Sequence, residues 1–253
     1  MHRWLYDYPG ILHGDLSLSN IMYRIIEGKV HGVLTDYDLS SWKATLTAEK
    51  DKSSQQTTGT PPYMAQELLR GTSTIHLYRH DVESLFYVML TVCGRRTIKS
   101  KRGNGDGDEW QVDIREGKLP YQDWFESQDS VLGCLKIFFF IDMDAIELSP
   151  SFEAFRMWLQ DLQWLFSDGF ALKFTHVKRE ERAGSNASGL VPFDDETLGG
   201  CIDYSTFIEP TRHLTGELKG LAIRYDPSPH SLRASTDSVL VGDVTPLPIL
   251  SQS

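Results

Sequence analysis

Residues 13–20 read HGDLSLSN and residues 35–38 read TDYD. Two carboxylates, Asp15 and Asp36, and one side-chain amide, Asn20, therefore lie close together in the chain. Oxygen donors of this kind suit magnesium, and magnesium-assisted phosphoryl transfer also needs a carboxylate beside the attacking hydroxyl. Asp15 suits that carboxylate, orienting the hydroxyl and taking its proton late. Asn20 and Asp36 suit metal ligands. His13 suits a brace that holds the loop through hydrogen bonds rather than a proton carrier. A polar loop between two strands would show the same letters, so the surrounding sequence has to decide.

The elements that must position these residues follow from periodicity. Residues 2–8 read as a helix end stopped by Pro9 and Gly10, and ILH at 11–13 as a short strand. IMYRII and VHGVLTDY, separated by EGK, read as two strands joined by a tight turn. Residues 40–62 are polar and aperiodic, a long surface segment. YMAQELLRG fits a short helix, and Val82 to Cys93 is apolar on nearly every face, which predicts a helix buried all round. KSKRGNGDGDE at 99–109 reads as a loop of Gly and charge, and it lacks the Gly and Glu positions of a calcium loop. Helices are predicted at about 121–140 and 150–174, the second with Phe152, Phe155, Trp158, Leu159, Leu162, Leu165 and Phe166 at helical spacing. Trp42 reads as a packing residue, with a substrate-groove anchor as the alternative, and His76 with His80 is not expected to bind metal.

Composition narrows the class. A chain of 253 residues with a hydrophobic fraction of 40% can build one sizeable core. The net charge of −10 is spread out, with no basic stripe, which argues against nucleic acid as the partner. Cys93, Cys134 and Cys201 are widely separated, which argues against a disulfide scaffold or a zinc site. Apolar runs such as IFFFI at 137–141 are too short to span a bilayer. The expectation is an intracellular soluble protein of the cytoplasm or nucleus, without a membrane partner.

H-x-D-x-x-x-x-N followed by the DYD triplet resembles the catalytic and metal-binding loops of the protein kinase superfamily. Small-molecule kinases of the aminoglycoside phosphotransferase type share HGD and the Asn, so the downstream sequence discriminates. TGTPPYMAQELL at 58–69 resembles the end of a protein kinase activation segment, with AQE standing for A-P-E, and HDVESLFYVML resembles the central helix that follows. Ser17 in place of Lys, DVESLFYV, HRWLYDYPGILHGD and FDDETLGG at 193–200 narrow the resemblance to the fungal-type protein kinases. It covers about residues 2–210 and is strongest at 11–94.

The resemblance implies an α+β, mainly α fold: a kinase C-lobe with a small β patch bearing the catalytic and metal loops. Its expected extent is 1–175, with a C-terminal extension at 176–212 and a disordered tail at 213–253. It implies catalytic roles for Asp15, Ser17 and His13, and binding of Mg and ATP through Asn20 and Asp36. Thr60 would lie against Asp15 in the peptide-binding segment, Glu67 would pair with an Arg for which Arg156 is a candidate, and Asp81 would support the catalytic-loop backbone. Ser53, Ser54, Thr57 and Thr58 are possible phosphorylation sites by the same resemblance, whereas the Asn186-Ala187-Ser188 sequon reads as incidental.

Four departures temper the expectation of activity. No Gly-rich loop, strand Lys or helix Glu precedes His13, so the N-lobe is expected to be missing and the isolated chain to bind ATP weakly and turn over poorly. Gly14 replaces an Arg that reads activation-loop phosphate. Ser17 brings no charge where Lys would, and Tyr37 and Asp38 replace Phe and Gly. Three functions remain in view: a truncated Ser/Thr-directed protein kinase, a kinase-derived binding module of pseudokinase type, and a small-molecule phosphotransferase. The protein substrate or binding partner is not written in the sequence.

Overall fold

The computed structural model describes residues 2–27, 29–42, 59–73, 75–102, 108–184, 189–210 and 245–246. The four activation-segment hydroxyls and the sequon named above lie outside the described residues, as does the tail apart from 245–246.

The chain opens with α1 (His2–Asp7) and β1 (Ile11–Leu12), and β1 pairs antiparallel with β4 (Ser41–Trp42). Between them, a single 3-10 turn at Leu18–Asn20 leads into β2 (Ile21–Ile26), which pairs with β3 (Lys29–Leu34) in the register Ile21 opposite Leu34 and Ile26 opposite Lys29. Glu27 takes a left-handed φ of 51° at the turn. The other edge of β2 pairs with β7 (Thr245–Pro246). This small sheet carries the HGDLSLSN loop at one end and TDYD as the exit of β3.

The rest of the core is helical. After a 3-10 turn at Pro61–Tyr63 and the short α2 (Gln66–Leu69) comes α3 (Tyr78–Arg95), the central element. It buries Val82, Phe86, Tyr87, Val88 and Leu90, so it has no wet face over its middle turns. The polar groups it buries are bonded in turn: Glu83 Oε1 accepts from the Gln66 N–H at 2.8 Å and from the Tyr87 hydroxyl at 2.6 Å. Burial raises the Glu83 carboxyl above its ordinary value, against the lowering effect of those two bonds.

Around α3 pack α4 (Asp123–Glu126), α5 (Asp129–Ile141) and α6 (Arg156–Ala183), the last entered through a 3-10 segment at Pro150–Phe155. Leu159, Leu162, Phe166 and Gly169 recur at three- and four-residue spacing and form the buried stripe of α6. Phe86, Phe140 and Phe166 meet with ring centroids 5.3–6.1 Å apart. A fully buried Phe in such a cluster stabilises the fold by roughly 3–5 kcal/mol, judged by truncation to Ala. A final short helix, α7 (Tyr204–Ile208), is capped by Asp203, whose side chain accepts from the Thr206 N–H.

Three expectations are corrected. Residues 99–109 are not one loop: β5 (Arg96–Arg102) and β6 (Asp108–Ile114) pair antiparallel. The β-branched and aromatic residues Thr97, Ile98, Trp110, Val112 and Ile114 supply the strand preference that the Gly-rich sequence between them conceals. The helix expected to end near 174 continues to Ala183, with His176–Glu180 and Lys178–Glu181 paired along its polar end. Trp42 does not pack away, since 57% of it stays exposed.

Candidate functional site

The loop at 13–20 is held from below by one buried residue of α3. Asp81 Oδ2 accepts from the His13 N–H at 2.8 Å and Oδ1 from the Gly14 N–H at 3.2 Å. The same two oxygens take His2 Nε2 at 3.0 Å and His76 Nε2 at 2.8 Å. Burial alone would raise the Asp81 carboxyl, but the charge and hydrogen bonds of His76 and His2 outweigh it and hold it well below the usual carboxylate range.

Gly14 is required by its backbone. Its φ is +83°, and a Cβ there would stand 2.5 Å from the Leu39 carbonyl oxygen. Any side chain at this position would therefore force the Leu39 backbone to shift.

Asp15 follows, with its carboxylate gripped at both oxygens. Oδ1 accepts from the Thr60 N–H at 2.9 Å and from the Thr60 hydroxyl at 2.8 Å. Oδ2 accepts from Asn20 Nδ2 at 3.2 Å, and the same amide donates to the Asp15 carbonyl at 2.9 Å. The amide nitrogen of Asn20 is thereby turned inward onto Asp15. Among the described residues its Oδ1 accepts from the Ser19 hydroxyl alone, at 3.3 Å.

His13 ties this loop to the next. Its Nδ1 accepts from the Asp15 N–H at 3.3 Å, so its Nε2 carries the proton and donates to the Thr35 carbonyl at 3.0 Å. The Thr35 N–H donates to the Asn20 carbonyl at 3.0 Å, which extends the β2–β3 pairing by one rung. Asn20 and Asp36 therefore lie at the same end of the hairpin. Asp36 is exposed and left-handed, with φ 62°. Ser17 is buried, and its hydroxyl meets that of Ser19 at 2.8 Å.

Asn20 and Asp36 are hard oxygen donors and fit magnesium, which is usually held by one or two such side chains with phosphate and water completing the shell. Among the described residues no group of three His, Cys, Asp or Glu side chains could hold a metal ion. An all-protein cage is not needed for a metal carried on phosphates.

Glu67 shows what the sequence concealed. It does not meet Arg156, which binds Glu153 and the Ile146 carbonyl instead. Its partners are Arg79 Nη2 at 2.5 Å and Lys173 Nζ at 2.7 Å. Asp195, in the FDDETLGG stretch, bridges the same two cations at 2.9 and 2.7 Å, closing a four-membered ring of charges. Burial would raise the Glu67 carboxyl, yet its hydrogen bond with His80 and the Arg79 and Lys173 cations bring it far below its ordinary value. Glu196 beside it accepts from the Tyr6 hydroxyl at 2.5 Å and the Tyr78 N–H at 3.3 Å, which fastens α1 to the start of α3. Lys136 of α5 is fully buried and donates to the Met64 carbonyl at 2.5 Å, with its ammonium 4.0 Å from the centre of the Tyr87 ring. Arg79, Lys173, Lys136, His2 and His76 were absent from the sequence-based site. The adjacency of Arg79 to HDVES was the one available signal.

No helix among the described residues is long and apolar enough to cross a membrane. Residues 1–93 match the family model described as fungal protein kinase. No curated protein and no solved structure matches the chain. The match ends within α3 and takes in the 13–20 loop, the β2–β3 hairpin, Thr60, Glu67, Arg79 and Asp81, so the similarity to the fungal protein kinase family is one of residues 1–93.

Proposed function

We propose that this chain provides the acceptor and metal side of an ATP-dependent phosphoryl transfer to Ser or Thr of a protein. The observation that carries the reading is the double grip on Asp15, with Thr60 on Oδ1 and Asn20 on Oδ2. A carboxylate fixed in this way presents one orientation to an incoming hydroxyl, which is what late proton acceptance requires. The Thr60 hydroxyl donates to one oxygen of Asp15, which supports reading that carboxylate as an acceptor for a hydroxyl.

Asn20 Oδ1 and the Asp36 carboxylate would hold magnesium together with the nucleotide phosphates. When bound, that ion would neutralise charge on the transferred group. Ser17 would add a neutral hydrogen bond at most, and His13 would keep the two loops in register.

The test is paramagnetic. With Mn²⁺ and a non-hydrolysable ATP analogue, resonances of Asn20 and Asp36 should broaden selectively in the full chain, and Asp36→Asn should abolish the effect. Any transfer of γ-phosphate to a Ser/Thr peptide should disappear in Asp15→Asn. Absence of broadening at both residues at millimolar metal would sink the reading, and binding of protein without metal or nucleotide would put the binding-module function in its place.

A further inference from the structure

We propose that His2 and His76 are paired positioning residues for the 13–20 loop, each donating from Nε2 to one oxygen of Asp81. The inference rests on the reading of that loop as the catalytic one. Each oxygen of Asp81 then has one backbone N–H and one imidazole: Oδ2 has His13 N and His2, and Oδ1 has Gly14 N and His76. The carboxylate is fully buried, so no water competes for its lone pairs. With only the two backbone donors each oxygen would have a single bond, both to the loop being positioned. The second donor on each oxygen comes from a ring held on another element, which anchors the carboxylate independently of the loop, and with it the backbone that presents Asp15.

The rings are themselves held. His2, from α1, stacks on Tyr78 with centroids 4.9 Å apart and planes 10° apart. His76, from the segment before α3, stands edge-on to His80 at 5.5 Å and 89°. His80 cannot replace it, because its Nδ1 accepts from the Leu77 N–H at 3.0 Å and it faces Glu67. The other charged or titratable groups around the cluster are Arg79 and Tyr78 on α3 and Glu196 from the extension, each bonded or stacked elsewhere. His2 and His76 are thus the imidazoles aimed at Asp81, and they bring two separate elements onto one loop.

Amide hydrogen exchange in the 253-residue chain tests this. His2→Met and His76→Met keep bulk but lose the donor, whereas His2→Gln and His76→Gln retain one. Each Met variant should speed exchange at His13 and Gly14 by about tenfold, with the Gln variants close to the unmodified protein and the Phe86–Leu90 amides unchanged. No change at His13 and Gly14 overturns the proposal, and so does an equal rise along α3, which would mark the histidines as general stabilisers. Should the Met variants not fold, the unmodified protein decides: both imidazole Nε2–H protons should be slow to exchange, and fast exchange of both overturns the proposal. None of these readouts needs nucleotide or turnover, so the clamp and the phosphoryl-transfer reading stand or fall separately.

Discussion

Arg79 meets Glu67 inside the core at 2.5 Å, joining the short helix α2 to the central helix α3. The Arg79 side chain is fully buried and is shared with Asp195. Removing it leaves two carboxylates with only Lys173, so Arg79→Ala should cost on the order of 3–5 kcal/mol. Urea unfolding of the variant and the parent would measure it, and a loss under about 1 kcal/mol would contradict the buried-pair argument.

His80 sets an acid limit. Its burial, reinforced by Arg79 and His76 and only partly opposed by Glu67, lowers it to about 3 from the ordinary 6.5. Between those values the unfolded chain takes up a proton that the folded chain refuses, so stability falls as pH drops below 6.5. Glu67, also lowered, adds loss of the same sign only as pH approaches and passes its ordinary 4.5. His80→Asn, whose side-chain oxygen can still accept from the Leu77 N–H, should flatten the slope between these two ordinary values. Thermal unfolding as a function of pH would show it.

Gly14→Ala should destabilise by about 1–3 kcal/mol, because left-handed backbone and a collision with the Leu39 carbonyl act together. The same variant should alter the Thr60 and Asn20 resonances, since both bond to the next residue. Chemical-shift mapping in the folded variant is the check, and unchanged Thr60 and Asn20 signals would separate Gly14 from the placement of Asp15.

Gly169 accepts the extension. A Cβ there would stand 2.8 Å from that of Leu198 and 3.2 Å from that of Cys201. Gly169→Leu should therefore displace residues 193–202 from α6 while leaving the Phe86–Phe140–Phe166 cluster in place. Limited proteolysis should cut this stretch faster in the variant, and equal resistance would argue against the contact.

Much of the fold was readable from residue types. The Val82–Cys93 stretch is apolar on nearly every face, and a central helix buries such a surface. The 13–20 and 35–38 motifs also marked, by their oxygen donors, two loops that the β2–β3 hairpin brings to one end. The ring of Glu67, Arg79, Lys173 and Asp195 was not readable, because its members are brought together only by packing of α2, α3, α6 and the extension. Arg156 and Arg79 look alike as letters, and only the adjacency of Arg79 to HDVES sets them apart. The β5–β6 pairing was obscured by the sequence between its strands, where glycine and charge outweigh the alternation on either side.

The bridging of Arg79 and Lys173 by Asp195 bears on where this protein can be cut for expression. A chain ended after α6 would retain every residue of the 13–20 loop, the hairpin and the central helix, and would look complete by motif. It would nevertheless strand two cations beside one acid and remove the carboxylate that now accepts from the Tyr6 hydroxyl. The serviceable minimum therefore reaches past Ile202, whose fully buried side chain seals the stretch that delivers both acids.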